Sequence, residues 1–397
     1  MTKKIFFFII LILCFCSITL ILIAKKIKND KNKPTTITLL NWSEYIKPEL
    51  IQEFNKEYSG RFVLKQIFLS SNELAINKIK SGNKYDIAIL SEYAIEQLKS
   101  NDLEKIDIQR LNNDLKEDNG KTNDLKFTSN FKNIKQKKDE TEQSDIWEYN
   151  IPYLWGKLGF LYNENKLGEI KSLQQLKKIL ENPEHKVALY NNPFEVMFVG
   201  LKMTEGDISV NSKDDIQKSK EYLLDLKKNN PNLYFVTDSL LDRMKIPGKE
   251  HYDIVVSYSG DARYLTRENK NLKYYHFKKE EQKKTGTNIW FDGIVFPKES
   301  NKEGSYKFIN FLLKKENNEK NIKFLDYNSP YSGENDDDLC KIDENDKIYK
   351  YNKEIKKEIA NAWNEIYTYR DPKDKYLIFL SIFILFFYGF FYFILKK

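Results

Sequence analysis

Three segments of the chain end an apolar run in the same way, with a small polar residue or a carboxylate beside a large ring. They are Trp42-Ser43-Glu44-Tyr45, Ser91-Glu92-Tyr93 and Ser257-Tyr258-Ser259. A fourth, Trp290-Phe291-Asp292, sets Trp290 and Asp292 two apart, on one face of a strand. Aromatic rings sandwich methylene groups and turn their negative faces toward ammonium groups. Glu44 and Asp292 would add charge-assisted hydrogen bonds. The set suits a cation with an apolar stem. Taken singly, each residue has a plainer reading: a ring at a strand end packs core or rim, Glu44 favours a helix N-terminus and Asp292 caps a turn. It is their coincidence at several strand ends that carries the functional reading.

Other chemistries are poorly provided for. His185, His251 and His276 are scattered without ligand spacing, there is no HExxH or CxxC, and Asp336-Asp337-Asp338 lacks the glycine and spacing of a calcium loop. No metal and no cofactor are expected. Cys14, Cys16 and Cys340 form no disulfide framework. No Ser–His–Asp arrangement or Gly-rich phosphate loop is present, and no general acid is marked out for glycoside hydrolysis. A binding protein is expected rather than an enzyme. The net charge of +7 is spread over both signs without a dense basic block, so no nucleic-acid partner is expected.

The elements that must position these residues follow from hydrophobic periodicity. A strand over 36–40 leads to a helix over 48–58 with Leu50, Ile51, Phe54 and Tyr58 on one face. A strand over 62–68, a helix over 74–79, the buried run "YDIAIL" and a helix over 94–99 follow. This alternation predicts a parallel α/β sheet. Residues 112–145 turn polar and charged and are expected to be a surface insertion. After it, "YNIPYLWGKLGFLYN" restarts the apolar pattern. Helices are expected over 173–180, 194–203, 214–228 and 302–313, with strands in "YDIVVSYSGDARYL" and "NIWFDGIVFP". Two α/β lobes result, with ligands expected at the carboxyl ends of the strands.

Both ends of the chain carry long apolar runs. Residues 5–24 are long enough to cross a bilayer, and no A-x-A site follows before Lys25 and Lys26, so an uncleaved anchor is expected first and a signal segment is the alternative. A second span is expected over 376–395, closed by Lys396 and Lys397. The lysine excess on the inner flanks would place the middle of the chain in the cytoplasm.

The motifs occur in order in one known family. "NWSEYI", "YDIAILSEYAIEQL", "LEKID", "IPYLWG", "WFDGIVFPKESNKEGSYKFINFLL" and "LDYNSPYSG" resemble the spermidine/putrescine-binding protein of polyamine ABC transporters, a bacterial extracellular solute-binding protein. The likeness covers about residues 36–331, and more weakly to 364; the stretch after Asn112 has no counterpart. The resemblance implies a two-lobed, periplasmic-binding-protein-like fold (type II) that closes about a hinge. Lobe 1 would comprise 35–152 and 292–336, with 112–145 inserted in it, and lobe 2 would comprise 153–291 and 337–372; a transmembrane helix would be added at each end.

Carried over by motif, the ligand site would include Trp42, Ser43, Glu44, Tyr45, Ser91, Tyr93, Glu195, Trp290, Asp292, Tyr327 and Asn364. Two positions depart from the family: Asn192 stands where an Asp is frequent, and Tyr258 where a Trp is found. The choice between spermidine and putrescine therefore stays open. The implied partners are a polyamine, the permease and ATPase subunits of an ABC importer, and the lipid bilayer. The binding domain would face outside the cell membrane, against the lysine count. Two other readings are a receptor for another small solute on the same scaffold and a tethered surface protein acting through the 112–145 insertion.

Overall fold

Nine strands carry the architecture: β1 (Thr35–Trp42), β2 (Phe62–Leu69), β3 (Ile87–Ser91), β4 (Ile151–Asn163), β5 (Val187–Tyr190), β6 (Leu233–Val236), β7 (Ile254–Tyr258), β8 (Leu272–Tyr275) and β9 (Ile289–Val295). The computed structural model describes residues 33–112, 115–116, 125–139, 145–210, 212–237, 240–277, 286–331, 341–349 and 353–370, together with Phe15, Ser17 and Thr19. Within these residues the strands run in the order β2-β1-β3-β9-β4-β7-β5-β6, with β8 also on β4.

The first lobe is built on β1, which is parallel to both β2 and β3. The helix Pro48–Glu57 connects β1 to β2 and opens with Pro48, whose fixed φ and missing N–H suit a first helical turn. The helix Asn72–Lys80 connects β2 to β3, capped by Ser71, whose hydroxyl accepts the Leu74 N–H. The second lobe repeats the plan with β5 parallel to β6 and β7. The expected parallel pairing stops at β9 and β4. β9 runs antiparallel to β3 and β4, and β4 antiparallel to β7 and β8.

The physical reason lies in the length of β4. It runs for 13 residues, all buried. Residues 151–157 pair with β9, and residues 158–163 with β7 and β8, so one strand serves both lobes. A ring lattice of Phe54, Phe308 and Phe311 fills the first lobe, and Phe160, Phe198 and Phe277 the second. The helix Lys353–Thr368 lays Ile359, Ala362, Trp363 and Ile366 on the second lobe.

The segment 112–145 is more than a solvated surface loop. Its helix Ser129–Asp139 buries Phe131 and Ile134 completely. Phe131 meets Phe127 at 4.9 Å and Phe291 at 5.8 Å, and Trp147 stacks on Phe291 at 5.2 Å. The helix therefore closes the core beneath the strand that carries Asp292. Phe131→Ala is expected to destabilise the protein by about 3–5 kcal/mol, the usual range for emptying a buried Phe site. Thermal denaturation checks this, and an unchanged Tm would mean the helix contributes no packing.

The expectation of added transmembrane helices is corrected. Among the described residues no helix is long and apolar enough to cross a membrane. Of the two apolar runs, 5–24 and 376–395, only Phe15, Ser17 and Thr19 fall among the described residues; the rest lies outside them.

Candidate functional site

The strand ends converge where the two lobes meet. Trp42 ends β1, Ser91 ends β3 and Tyr258 ends β7. Because β9 is antiparallel to β3, Asp292 falls opposite Ser91. On its other side β9 pairs Trp290 with Gly156 and Asp292 with Leu154 of β4. Glu195 comes from the second lobe, in the first turn of the helix Pro193–Thr204. That helix starts at Asn192, whose Oδ1 accepts the Phe194 N–H at 2.9 Å. Asn192 thus works as an N-cap, an ordinary duty for Asn.

Hydrogen bonds fix the polar groups. The Tyr45 hydroxyl donates to Asp292 Oδ2 at 2.7 Å. Tyr45 is itself held by its carbonyl, which accepts the Tyr153 hydroxyl at 2.7 Å, and Tyr153 accepts from Asn321 at 2.7 Å. The Tyr258 hydroxyl donates to Glu195 Oε1. Tyr327 donates to Asp261 Oδ1 at 2.8 Å and Tyr190 to Asp261 Oδ2 at 3.4 Å. Tyr93 donates to Glu73 at 3.1 Å.

The rings between these groups form a continuous wall. Trp290 meets Tyr258 at 5.3 Å and Tyr327 at 5.5 Å, both edge to face, and Tyr327 meets Tyr45 at 6.0 Å. Tyr190 stacks on Tyr258 at 5.1 Å. Tyr93 reaches across the lobes to Phe194, 5.0 Å away. Trp42 packs partly buried against both hydrophobic clusters of the first lobe.

Two glycines admit this ring packing. A Cβ on Gly260 would lie 2.5 Å from the Tyr327 ring, and one on Gly156 would lie 2.8 Å from Trp290. Tyr327 is pinned from behind: Arg263 donates to the Asp326 carbonyl, Arg267 pairs with Asp326 at 2.6 Å, and Trp155 N–H donates to the Asn328 carbonyl at 3.0 Å. Gly260→Ala is therefore expected to push the Tyr327 ring out of place and weaken solute binding about tenfold, equivalent to 1–2 kcal/mol of lost contact. Binding at parental strength, measured by calorimetry, would show that Tyr327 is not part of the site.

Four buried polar atoms of this cluster, two acceptors and two donors, stand out. Asp292 Oδ1, Glu195 Oε2, Trp42 Nε1 and Trp290 Nε1 are buried and have no hydrogen-bond partner among the described residues. Buried polar atoms are normally paired, so a cluster of orphans marks a place where a ligand's polar groups belong. Burial pushes the Glu195 carboxyl up to about 7, against the pull of the Tyr258 hydroxyl and its own backbone N–H. Burial likewise pushes Asp292 up to about 6, opposed by Tyr45 and the adjacent Ser91 side chain.

Not every residue singled out in the sequence joins this cluster. Tyr45, Ser91, Tyr93, Glu195, Tyr258, Trp290, Asp292 and Tyr327 are tied together by the contacts above. Ser43 and Glu44 are exposed, with Glu44 at a φ of 53° in the turn after β1. Asn364 is exposed on the outer face of the helix Lys353–Thr368, whose buried side faces the second lobe. Asp261, Tyr190 and Tyr153 join without having been singled out, and Glu92, read in the sequence only as part of Ser91-Glu92-Tyr93, joins them. Asp261 lies in the quoted "YSGDARYL", in the first turn of the helix Ser259–Glu268, a position that favours a carboxylate. Tyr190 ends β5, a strand end too short to stand out in the sequence.

Comparison with known proteins agrees with this architecture. The family described as bacterial extracellular solute-binding protein matches residues 49–345. The chain is 25% identical over 303 residues to the putrescine-binding periplasmic protein SpuD of Pseudomonas aeruginosa, covering 70% of this chain and 73% of that one. It is 26% identical over 287 residues to the spermidine/putrescine-binding periplasmic protein of Salmonella typhimurium, with the same coverage of 70% and 73%. Among solved structures, the spermidine/putrescine ABC transporter substrate-binding protein PotD of Streptococcus pneumoniae, in complex with calcium and HEPES, superposes with a TM-score of 0.63 at 26% identity. It covers 85% of this chain and 100% of that one. The chain belongs to the bacterial extracellular solute-binding protein family, and is a two-lobed binding protein, not an enzyme.

Proposed function

We propose that this chain is the substrate-binding subunit of an ABC importer for a polyamine of the putrescine or spermidine class. One observation carries the reading: two buried, unpartnered carboxylate oxygens, Asp292 Oδ1 on the first lobe and Glu195 Oε2 on the second, are flanked by indole and phenol rings. In this reading each carboxylate takes one ammonium. Trp290, Tyr327 and Tyr258 lie along the methylenes between them, where ring faces and C–H groups make favourable contact. Tyr45 and Tyr258, which now donate to the carboxylates, orient them toward the amines. The names of the two relatives given above, one putrescine-binding and one spermidine/putrescine-binding, support the solute class. They also support a solute-binding domain that faces outside the cytoplasm and hands its cargo to a permease and its ATPase.

A receptor for another small cation is the second reading. Asn192 favours it, because the side-chain oxygen there is an amide engaged in helix capping rather than a free carboxylate. A thermal-shift panel separates the two. A ligand at a hundredfold excess over its Kd stabilises the native state by about 2.7 kcal/mol, which raises the Tm of a domain this size by several degrees. Putrescine or spermidine should raise the Tm most, and amino acids and sugars not at all. A larger shift from a different amine would move the assignment to that solute.

A further inference from the structure

A second acidic group lies behind Asp292. Glu92 opens the helix Glu92–Asp102 immediately after Ser91, is 1% exposed, and its Oε2 accepts the Phe291 N–H at 3.4 Å, one residue from Asp292. From the other side comes Lys138 of the helix Ser129–Asp139, 5% exposed. Lys138 pairs with Glu96 at 3.3 Å, Glu96 with Lys99 at 3.0 Å, and Lys99 with Asp145 at 2.5 Å. The ion pairs form a ladder of alternating charge, Lys138, Glu96, Lys99 and Asp145, whose inner end acts on Glu92 through its charge. Two of its members, Lys138 and Asp145, belong to the 112–145 segment.

We propose that Glu92 is a positioning residue for the solute, a buried carboxylate that reinforces Asp292 when an ammonium arrives, and that Lys138 of the inserted helix is the counter-charge that lets Glu92 ionise so deep in the protein. The proposal rests on the polyamine reading of the site. The charged groups around Glu92 are Asp292 on β9, Lys138 on the inserted helix and, one turn along its own helix, Glu96. Burial pushes Glu92 up to about 7, Asp292 adds to that push, and Lys138 and the Phe291 N–H oppose it. Near neutral pH the Asp292–Glu92 pair therefore retains part of a proton. An ammonium against Asp292 favours the fully charged pair, and the proton leaves for the solvent. Solute binding and proton release are coupled through Glu92, and the inserted helix sets the pH at which that happens.

Calorimetric titration with putrescine in phosphate and in Tris, from pH 6 to pH 9, counts the protons released. The parent should release protons at pH 7 and few at pH 9. Glu92→Gln, which keeps an acceptor for the Phe291 N–H, should release fewer, bind about three- to tenfold more weakly at pH 8, and show a shallower pH profile, as expected for one lost charge one layer away. Lys138→Met should move the profile to higher pH, and Lys138→Arg should restore it, which a purely structural role for Lys138 would not produce. A folded Glu92→Gln protein, by its melting curve, with the parent's affinity, proton count and profile would overturn the proposal while leaving the polyamine site intact. An unshifted Lys138→Met profile would overturn the role of the inserted helix. A parent that binds no polyamine would overturn both the proposal and the function it rests on.

Discussion

Asp292→Asn should lose most of the solute affinity without harming the fold. The side chain is 4% exposed, and its Oδ1 has no partner among the described residues. An ammonium seated there would be a buried, hydrogen-bonded ion pair, and removing the charge from one side of such a pair costs about 3 kcal/mol, on the order of 100-fold in Kd. The amide retains an acceptor for the Tyr45 hydroxyl, which now donates to Oδ2 at 2.7 Å. It also resembles the neutral carboxyl that burial already favours, since Asp292 is pushed up to about 6. At pH 8 the variant should therefore melt at or above the parent's temperature while titrating with putrescine only weakly. A variant that binds as the parent does would remove Asp292 from the site. One that binds weakly because it no longer folds would show that the carboxylate is structural.

The second large effect is on pH. Glu195 is raised to about 7 by burial, so the folded form holds its proton over a range where the unfolded chain, near 4.5, has released it. More protons bound in the native state means that stability falls as pH rises. The contribution is fully present below about pH 4.5 and is lost as pH rises through 7. For a shift from 4.5 to about 7 it amounts to about 3 kcal/mol. Asp292 acts in the same direction between about pH 4 and pH 6. Carboxylates that are lowered, such as Asp207 beside Lys347 and Glu250 beside Asn269, work oppositely, so the effect is read as a difference. The Tm of Glu195→Gln minus that of the parent should grow between pH 5 and pH 8 and shrink again when putrescine is present, because a bound ammonium stabilises the ionised parent. A difference independent of pH would mean that Glu195 is ionised and satisfied without solute.

The local part of this site was legible from the sequence. Strand ends carrying a small polar residue and a ring announce themselves within a few residues, as Ser91-Glu92-Tyr93 and Ser257-Tyr258-Ser259 do. What was not legible is partnership across the chain. Tyr45 and Asp292 are separated by 247 positions, Tyr258 and Glu195 by 63, and no spacing rule links them. Asp261 stands in a readable motif, yet only the fold brings Tyr190 and Tyr327 onto it.

The packing of the inserted helix is hidden for a different reason. Its average polarity hides Phe131 and Ile134, three apart on one helical face, and those two residues decide the packing. At Asn192 the local role won: a residue set before Pro193 caps a helix whatever its neighbours bind. Only a weak motif marks Asn364, and the amphipathic pattern of its own helix turns it outward.

The central claim is that two carboxylates from opposite lobes, walled by rings, hold a diamine. Titrating the parent protein with putrescine and spermidine in a calorimeter at pH 8, above the values of about 6 and about 7 to which burial pushes Asp292 and Glu195, tests it most directly. The account predicts a saturable, one-to-one isotherm that Asp292→Asn and Glu195→Gln each weaken strongly. A flat titration with every polyamine, from a protein that melts cooperatively, would contradict it.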